Sequence, residues 1–89
     1  MLNQRVTITN KLGLHARAAV KLVNLANRFE ASVKIEKDGS EIEGKSILGI
    51  LTLAAVQGSE ITLKVEGRDE EMAMQAILAL INDKFYEQE

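Results

Sequence analysis

Four stretches in which apolar and polar residues alternate, interleaved with three of helical periodicity, predict an α+β domain. The expected architecture is a four-stranded, mainly antiparallel sheet covered on one face by three helices in the order βαββαβα. The Asp38-Gly39 pair between two of the alternating stretches offers the positive-φ residues of a tight hairpin and sets the antiparallel character. Eighty-nine residues make one domain over positions 1–89, too small for a second lobe or a deep, enclosed active site, so any chemistry must lie near the surface.

The first strand is read from Val6-Thr7-Ile8-Thr9, extended by Leu2 and Gln4 and ended by the turn-prone Asn10-Lys11-Leu12-Gly13. Ala19, Leu22, Val23, Ala26 and Phe29 then recur at helical spacing on one face, while Lys21, Asn24, Asn27 and Arg28 lie elsewhere. Val33 and Ile35 alternate with Ser32, Lys34 and Glu36 before the Asp38-Gly39 turn, and Glu41-Ile42-Glu43 returns. Ser46 is placed to N-cap the short segment Ile47 to Leu53, although Gly49 stands where a capping box would have an acid. That segment is too apolar for one buried stripe. If Ile50 and Leu53 face the core, Ile47, Leu48 and Leu51 are at least partly exposed and form a docking cluster; the plain alternative is that all of them are core. Ile61, Leu63 and Val65 mark the fourth strand, and Asp69-Glu70-Glu71 should cap and charge a last helix whose Ala73, Ala76, Ile77, Leu80 and Ile81 share a face. A ferredoxin-like ligand-binding module has the same composition of elements.

Several classes of function are disfavoured. There is no cysteine, which excludes a disulfide framework and thiolate metal sites, and a zinc site with one histidine would need an unusual all-carboxylate environment. No metal and no cofactor is expected. A net charge of −2 with interleaved signs and only three aromatic residues argues against nucleic acid as a partner. The amino-terminal residues have no long apolar run and no stretch approaches membrane-spanning length, so the expectation is a soluble, cytoplasmic protein without direct membrane insertion.

The histidine is His15, in Gly13-Leu14-His15-Ala16-Arg17, where a strand pattern gives way to a helical one. Unpartnered N–H groups and the positive dipole end at a helix start favour a phosphate carried on a nearby imidazole, and Arg17 offers a planar cationic fork. A surface histidine near a helix cap fits the spacing equally well.

Three segments, Asn10-Lys11-Leu12-Gly13-Leu14-His15-Ala16-Arg17, Lys45-Ser46-Ile47-Leu48-Gly49-Ile50-Leu51 and Gly58-Ser59-Glu60, closely resemble the HPr family, and the resemblance extends over essentially the whole chain. These are the histidine phosphocarriers of the bacterial phosphoenolpyruvate-dependent phosphotransferase system. The resemblance implies an open-faced β-sandwich in which His15 takes a phosphoryl group from enzyme I on its Nδ1 and passes it to an EIIA-type domain. It makes Arg17 the phosphate-stabilising cation and Ser46 a regulatory serine, open to a kinase or phosphorylase. Ile47, Leu48 and Leu51 then become the centre of a transient interface, with Arg17 and Lys21 at its edge; for Lys21 a solvated helix lysine is the plain alternative. A carrier of this kind is not an enzyme and is expected to have no catalytic constellation or base beside His15, since its partners supply the machinery.

Two departures stand out. The family usually has proline after the arginine, where this chain has Ala18; alanine keeps the helix, and the departure bears on how rigidly the His15 loop is set, not on whether transfer occurs. Asn24 and Asn27 replace lysines frequent in sugar-branch members, and with the overall acidity they point to a nitrogen-type branch. The alternative function is a regulatory binding protein of the same fold controlled through Ser46.

Overall fold

The computed structural model describes residues 1–87. Its elements are β1 (Leu2–Thr7), α1 (Ala16–Ala26), β2 (Ser32–Lys37), β3 (Ser40–Glu43), α2 (Ile47–Leu53), β4 (Glu60–Glu66), α3 (Glu70–Asn82) and a single turn over Lys84–Tyr86. The strands form one sheet in the order β1-β4-β2-β3 with every pairing antiparallel. The βαββαβα order is borne out, and the last turn is an addition.

The alternation in the strands decides which face the helices cover. Val33 and Ile35 of β2 and Ile61, Leu63 and Val65 of β4 are buried against Leu22, Val23, Ile50, Ile77 and Ile81 from the helices. Each such side chain withdrawn from water contributes about 1.5–3 kcal/mol. The other face is bare and charged: Lys64 of β4 pairs with Glu36 of β2 at 2.9 Å and with Glu41 of β3 at 2.8 Å. At the hairpin tip Asp38 (φ 51°) and Gly39 (φ 85°) take the two left-handed conformations that the turn requires.

Four readings need correction. The first strand is Leu2–Thr7, so Ile8 and Thr9 lie beyond it; Ile8 stays tied to the loop before β4 through its N–H to the Ser59 carbonyl (2.8 Å) and its carbonyl from the Gly58 N–H (2.8 Å). Gln4, assigned the apolar register, is exposed. Helix α1 ends at Ala26, leaving Phe29 outside it though still packed on the core, while Ala18 joins the buried face. Asp69 precedes α3 but makes no cap bond to it. Its carboxylate instead accepts the backbone N–H groups of Glu30 (2.9 Å) and Ala31 (2.8 Å), pinning the connection from α1 to β2.

Among the described residues no helix is long and apolar enough to cross a membrane.

The bond from the Glu30 N–H is the largest effect; desolvation opposes it, and the bond from Ala31 adds to it, so the Asp69 carboxyl is held below its ordinary value. A carboxyl depressed on folding contributes stability above its unfolded pKa and loses it as pH falls through the folded one. Asp69→Ala should therefore melt below the parent at neutral pH, and the gap should close as the pH drops through the lower carboxylate range. Parallel thermal melts from neutral to acid pH check this; a gap that does not depend on pH would contradict it.

Candidate functional site

The turn Asn10 to Gly13 delivers the chain from β1 to α1. Gly13 (φ 67°) closes it with its N–H on the Asn10 carbonyl at 3.2 Å. No other residue fits, because a Cβ there would lie 2.4 Å from the Ala55 carbonyl oxygen. That close approach allows the Leu14 N–H to donate to the same carbonyl at 2.8 Å. Ala55 is aimed by Ala54, which ends α2 in the left-handed conformation (φ 52°). The loop bearing His15 is thus fastened to the segment that leaves α2.

His15 is the N-cap residue of α1, with extended backbone and a side chain that makes no cap bond. Its carbonyl accepts the first intrahelical bond, from the Ala19 N–H at 2.9 Å, so the N–H groups of Ala16, Arg17 and Ala18 precede any intrahelical acceptor. Ala18 is the third helical residue and fully buried, so the face that a proline would occupy is packed without one. The His15 side chain is 26% exposed and opens on a shallow depression also lined by Lys11, Leu12, Arg17, Lys21, Tyr86 and Glu87. Three of these are cations. The surface beside His15 is accordingly charged, and the apolar residues singled out from the sequence lie elsewhere.

One neighbour had no sequence signal. Glu87, 72 positions along the chain, places its Oε2 against His15 Nε2. This departs from the expectation of no base beside His15, because the turn over Lys84–Tyr86 brings Glu87 back over the start of α1. The other Glu87 oxygen accepts Asn10 Nδ2 at 3.0 Å, and the same Nδ2 donates to the Gly13 carbonyl at 2.7 Å. Burial pushes the Glu87 carboxyl up, but hydrogen bonds from His15 and Asn10, with the nearby charges of His15 and Lys21, outweigh it and hold the group below the usual range.

The turn that presents Glu87 is unusual in its backbone. Lys84, Phe85 and Tyr86 are consecutive non-glycine residues with φ of 56°, 56° and 62°. Each left-handed residue costs about 1–2 kcal/mol. Complete burial of Phe85 returns about 1.5–3 kcal/mol of this, and Lys21 Nζ donates to the Phe85 carbonyl at 2.5 Å while lying 5.8 Å from the Tyr86 ring centroid. Lys21 is therefore neither a plainly solvated helix lysine nor a free cation at an interface edge; it clamps the terminal turn.

Ser46 is the N-cap of α2, its Oγ accepting the Gly49 N–H at 3.1 Å. Gly49 suits the place an acid would take in a capping box, since even a Cβ there would come within 3.3 Å of Ile42 Cβ and of Ser46 Oγ. Ile50 and Leu53 are buried, whereas Ile47, Leu48 and Leu51 are 39, 76 and 36% exposed, so the structure divides them as their density predicts. None of these, nor Ser46, lines the His15 depression. Arg17 does.

Comparison with known proteins bears on this arrangement. Residues 2–83 match the family model described as "PTS HPr component phosphorylation site". The phosphocarrier protein HPr of Cupriavidus necator is 51% identical over 89 residues, covering all of both chains. The phosphocarrier protein NPr of Shewanella violacea is 46% identical over 97% of this chain and 94% of its own. The crystal structure of HPr-C-His from Thermoanaerobacter tengcongensis superposes with a TM-score of 0.96 at 42% identity over the whole of both chains. With the fold, the motifs and the relatives in agreement, the chain belongs to the HPr family, the phosphocarriers of the phosphotransferase system.

Proposed function

We propose that this chain accepts a phosphoryl group from enzyme I on His15 and passes it to an EIIA-type domain, working in the cytoplasm as one domain over residues 1–89. The observation that carries the proposal is the placement of the chain's sole histidine at the start of α1, partly exposed in a depression lined by Lys11, Arg17 and Lys21. Neutral imidazole is a competent nucleophile and phosphoimidazole a good leaving group, so one side chain both accepts and donates. The first-turn N–H groups, and the Arg17 guanidinium lining the same depression, support this reading as donors to charge on the transferring group. An open site of this kind leaves room for a partner to supply the rest of the transfer machinery.

Docking is assigned to the exposed face of α2, where Ile47, Leu48 and Leu51 supply apolar contact, with Arg17 in the separate His15 depression supplying charge and Lys21 committed to the terminal turn. The hydrogen bond from Leu14 to Ala55 keeps that helix fixed relative to His15. The receiving EIIA belongs to the sugar or the nitrogen branch; the exposed Asn24 and Asn27 leave α1 without the lysines of sugar-branch members and favour the second. Ser46 is the regulatory serine, with a kinase or phosphorylase as its partner.

The direct test is incubation with enzyme I and labelled phosphoenolpyruvate. The label should attach to the protein in acid-labile, alkali-stable form, and a His15→Ala variant should take up none; undiminished labelling of that variant would falsify the assignment.

Arg17→Ala should slow transfer at least tenfold, about 1.4 kcal/mol of barrier, with little change in melting temperature, since the side chain is exposed. Transfer at the parent rate, or outright unfolding, would remove Arg17 from this role.

At Ser46, aspartate is an equally good cap and should preserve the fold. It also puts a charge beside the apolar docking residues, so Ser46→Asp should raise the apparent KM for enzyme I more than it lowers kcat. Steady-state kinetics with an unchanged KM would leave Ser46 as a helix cap alone.

A further inference from the structure

We infer that Glu87, held by the buried amide of Asn10, is a positioning residue that fixes the His15 proton on Nε2 and leaves Nδ1 as the nucleophilic nitrogen. The inference rests on the phosphocarrier reading of His15 for its purpose, but on separate observations for its geometry.

The hydrogen-bond capacities leave little freedom. A carboxylate only accepts, so the imidazole nitrogen facing Glu87 Oε2 must be the one that carries the proton. Glu87 Oε1 is already satisfied by Asn10 Nδ2. Asn10 cannot turn its amide over without facing its oxygen to the Gly13 carbonyl and to Glu87, both of which are acceptors. It is 0% exposed, and among the described residues its Oδ1 has no hydrogen-bond partner. A buried oxygen is left unsatisfied so that the nitrogen can hold Gly13 and Glu87 together. The strained turn at Lys84 to Tyr86 and its clamp by Lys21 serve the same placement. Glu87 lies outside the residues 2–83 that match the family model.

The arrangement suits a reversible carrier because the step balances without moving a proton at His15. On acceptance the Nδ1 lone pair forms the bond to phosphorus while the bond from phosphorus to the donor's leaving group breaks, its electron pair going to that group. The ring becomes a cation whose Nε2–H still faces the Glu87 carboxylate, which stabilises the new charge and keeps the ring protonated as a better leaving group. On donation the Nδ1–P bond breaks, its electrons return to Nδ1, and the ring is again neutral with the proton on Nε2.

The test combines nitrogen and proton NMR of the histidine-labelled full chain with phosphotransfer kinetics for the parent, Glu87→Ala and Glu87→Gln. In the parent at a pH where the imidazole is neutral, Nε2 should show a directly bonded, slowly exchanging proton. Glu87→Ala should lose that signal and lower kcat by about tenfold or more, the usual scale for removing a group that orients a reacting ligand, with KM for enzyme I little changed. Glu87→Gln can satisfy only one of its two donors, because its NH2 must face either Asn10 Nδ2 or His15 Nε2. It should therefore also lose the signal or weaken the terminal turn, and should not restore kcat. A parent Nε2 without a proton overturns the proposal, as does a Glu87→Ala variant in which either the proton signal or kcat matches the parent. That last result would mean that Glu87 only pins the terminal turn. The NMR result does not depend on phosphotransfer: if the His15→Ala variant were still labelled, the carrier reading would fall while the proton assignment stood.

Discussion

The buried side chain of Asn10 is the point on which the site depends. Its nitrogen reaches forward to the Gly13 carbonyl, closing the turn that aims His15, and across to Glu87, securing that carboxylate beside the same histidine. A buried polar atom without a partner costs about 1–3 kcal/mol, and among the described residues Asn10 Oδ1 has none. Local stability has been traded for the direction of one amide. The rest of the loop reinforces this choice: only glycine fits at position 13 against the Ala55 carbonyl, and that carbonyl ties the loop to the end of α2.

Labour is divided within a small surface. The sheet presents its apolar face to the helices and leaves its charged face bare, so the chemistry is carried at one end of the helical layer. There α1 supplies His15 and Arg17, the terminal turn supplies Glu87, and α2 contributes exposed apolar side chains outside the depression. The exposed apolar face of α2 and the depression holding His15 are thus two separate surfaces, the first proposed for docking and the second for transfer. Glu87 modifies the simplest picture of a carrier with a bare histidine. In the proposed cycle it is not a base that must take a proton: the proton stays on Nε2 in both carrier states, facing the same carboxylate.

Much of the fold and half of the site were legible in the residues. Period-two alternation located the strands because one face of the sheet is buried, Asp38-Gly39 fixed the hairpin, and the surplus of apolar residues in the short α2 segment forced some of them outward. His15 and Ser46 were found because each begins a helix within a recognisable motif. The failures share a cause, since they involve side chains that act far from their own position. Asp69 looks like a cap for α3 but serves the backbone of residues 30 and 31, which only the packed fold brings near. Lys21 looks solvated until the terminal turn folds under it. Glu87 has no local pattern at all, for its partner is 72 positions away and its turn uses left-handed residues that no propensity favours.

In the proposed mechanism His15 carries phosphate through Nδ1 while Nε2 is held by Glu87. Phosphorus to nitrogen coupling in the phosphorylated, histidine-labelled protein tests it most directly. Coupling to His15 Nδ1 with a proton still bonded to Nε2 is the expected result; coupling to Nε2, or phosphorus bound to no histidine, would overturn this mechanism.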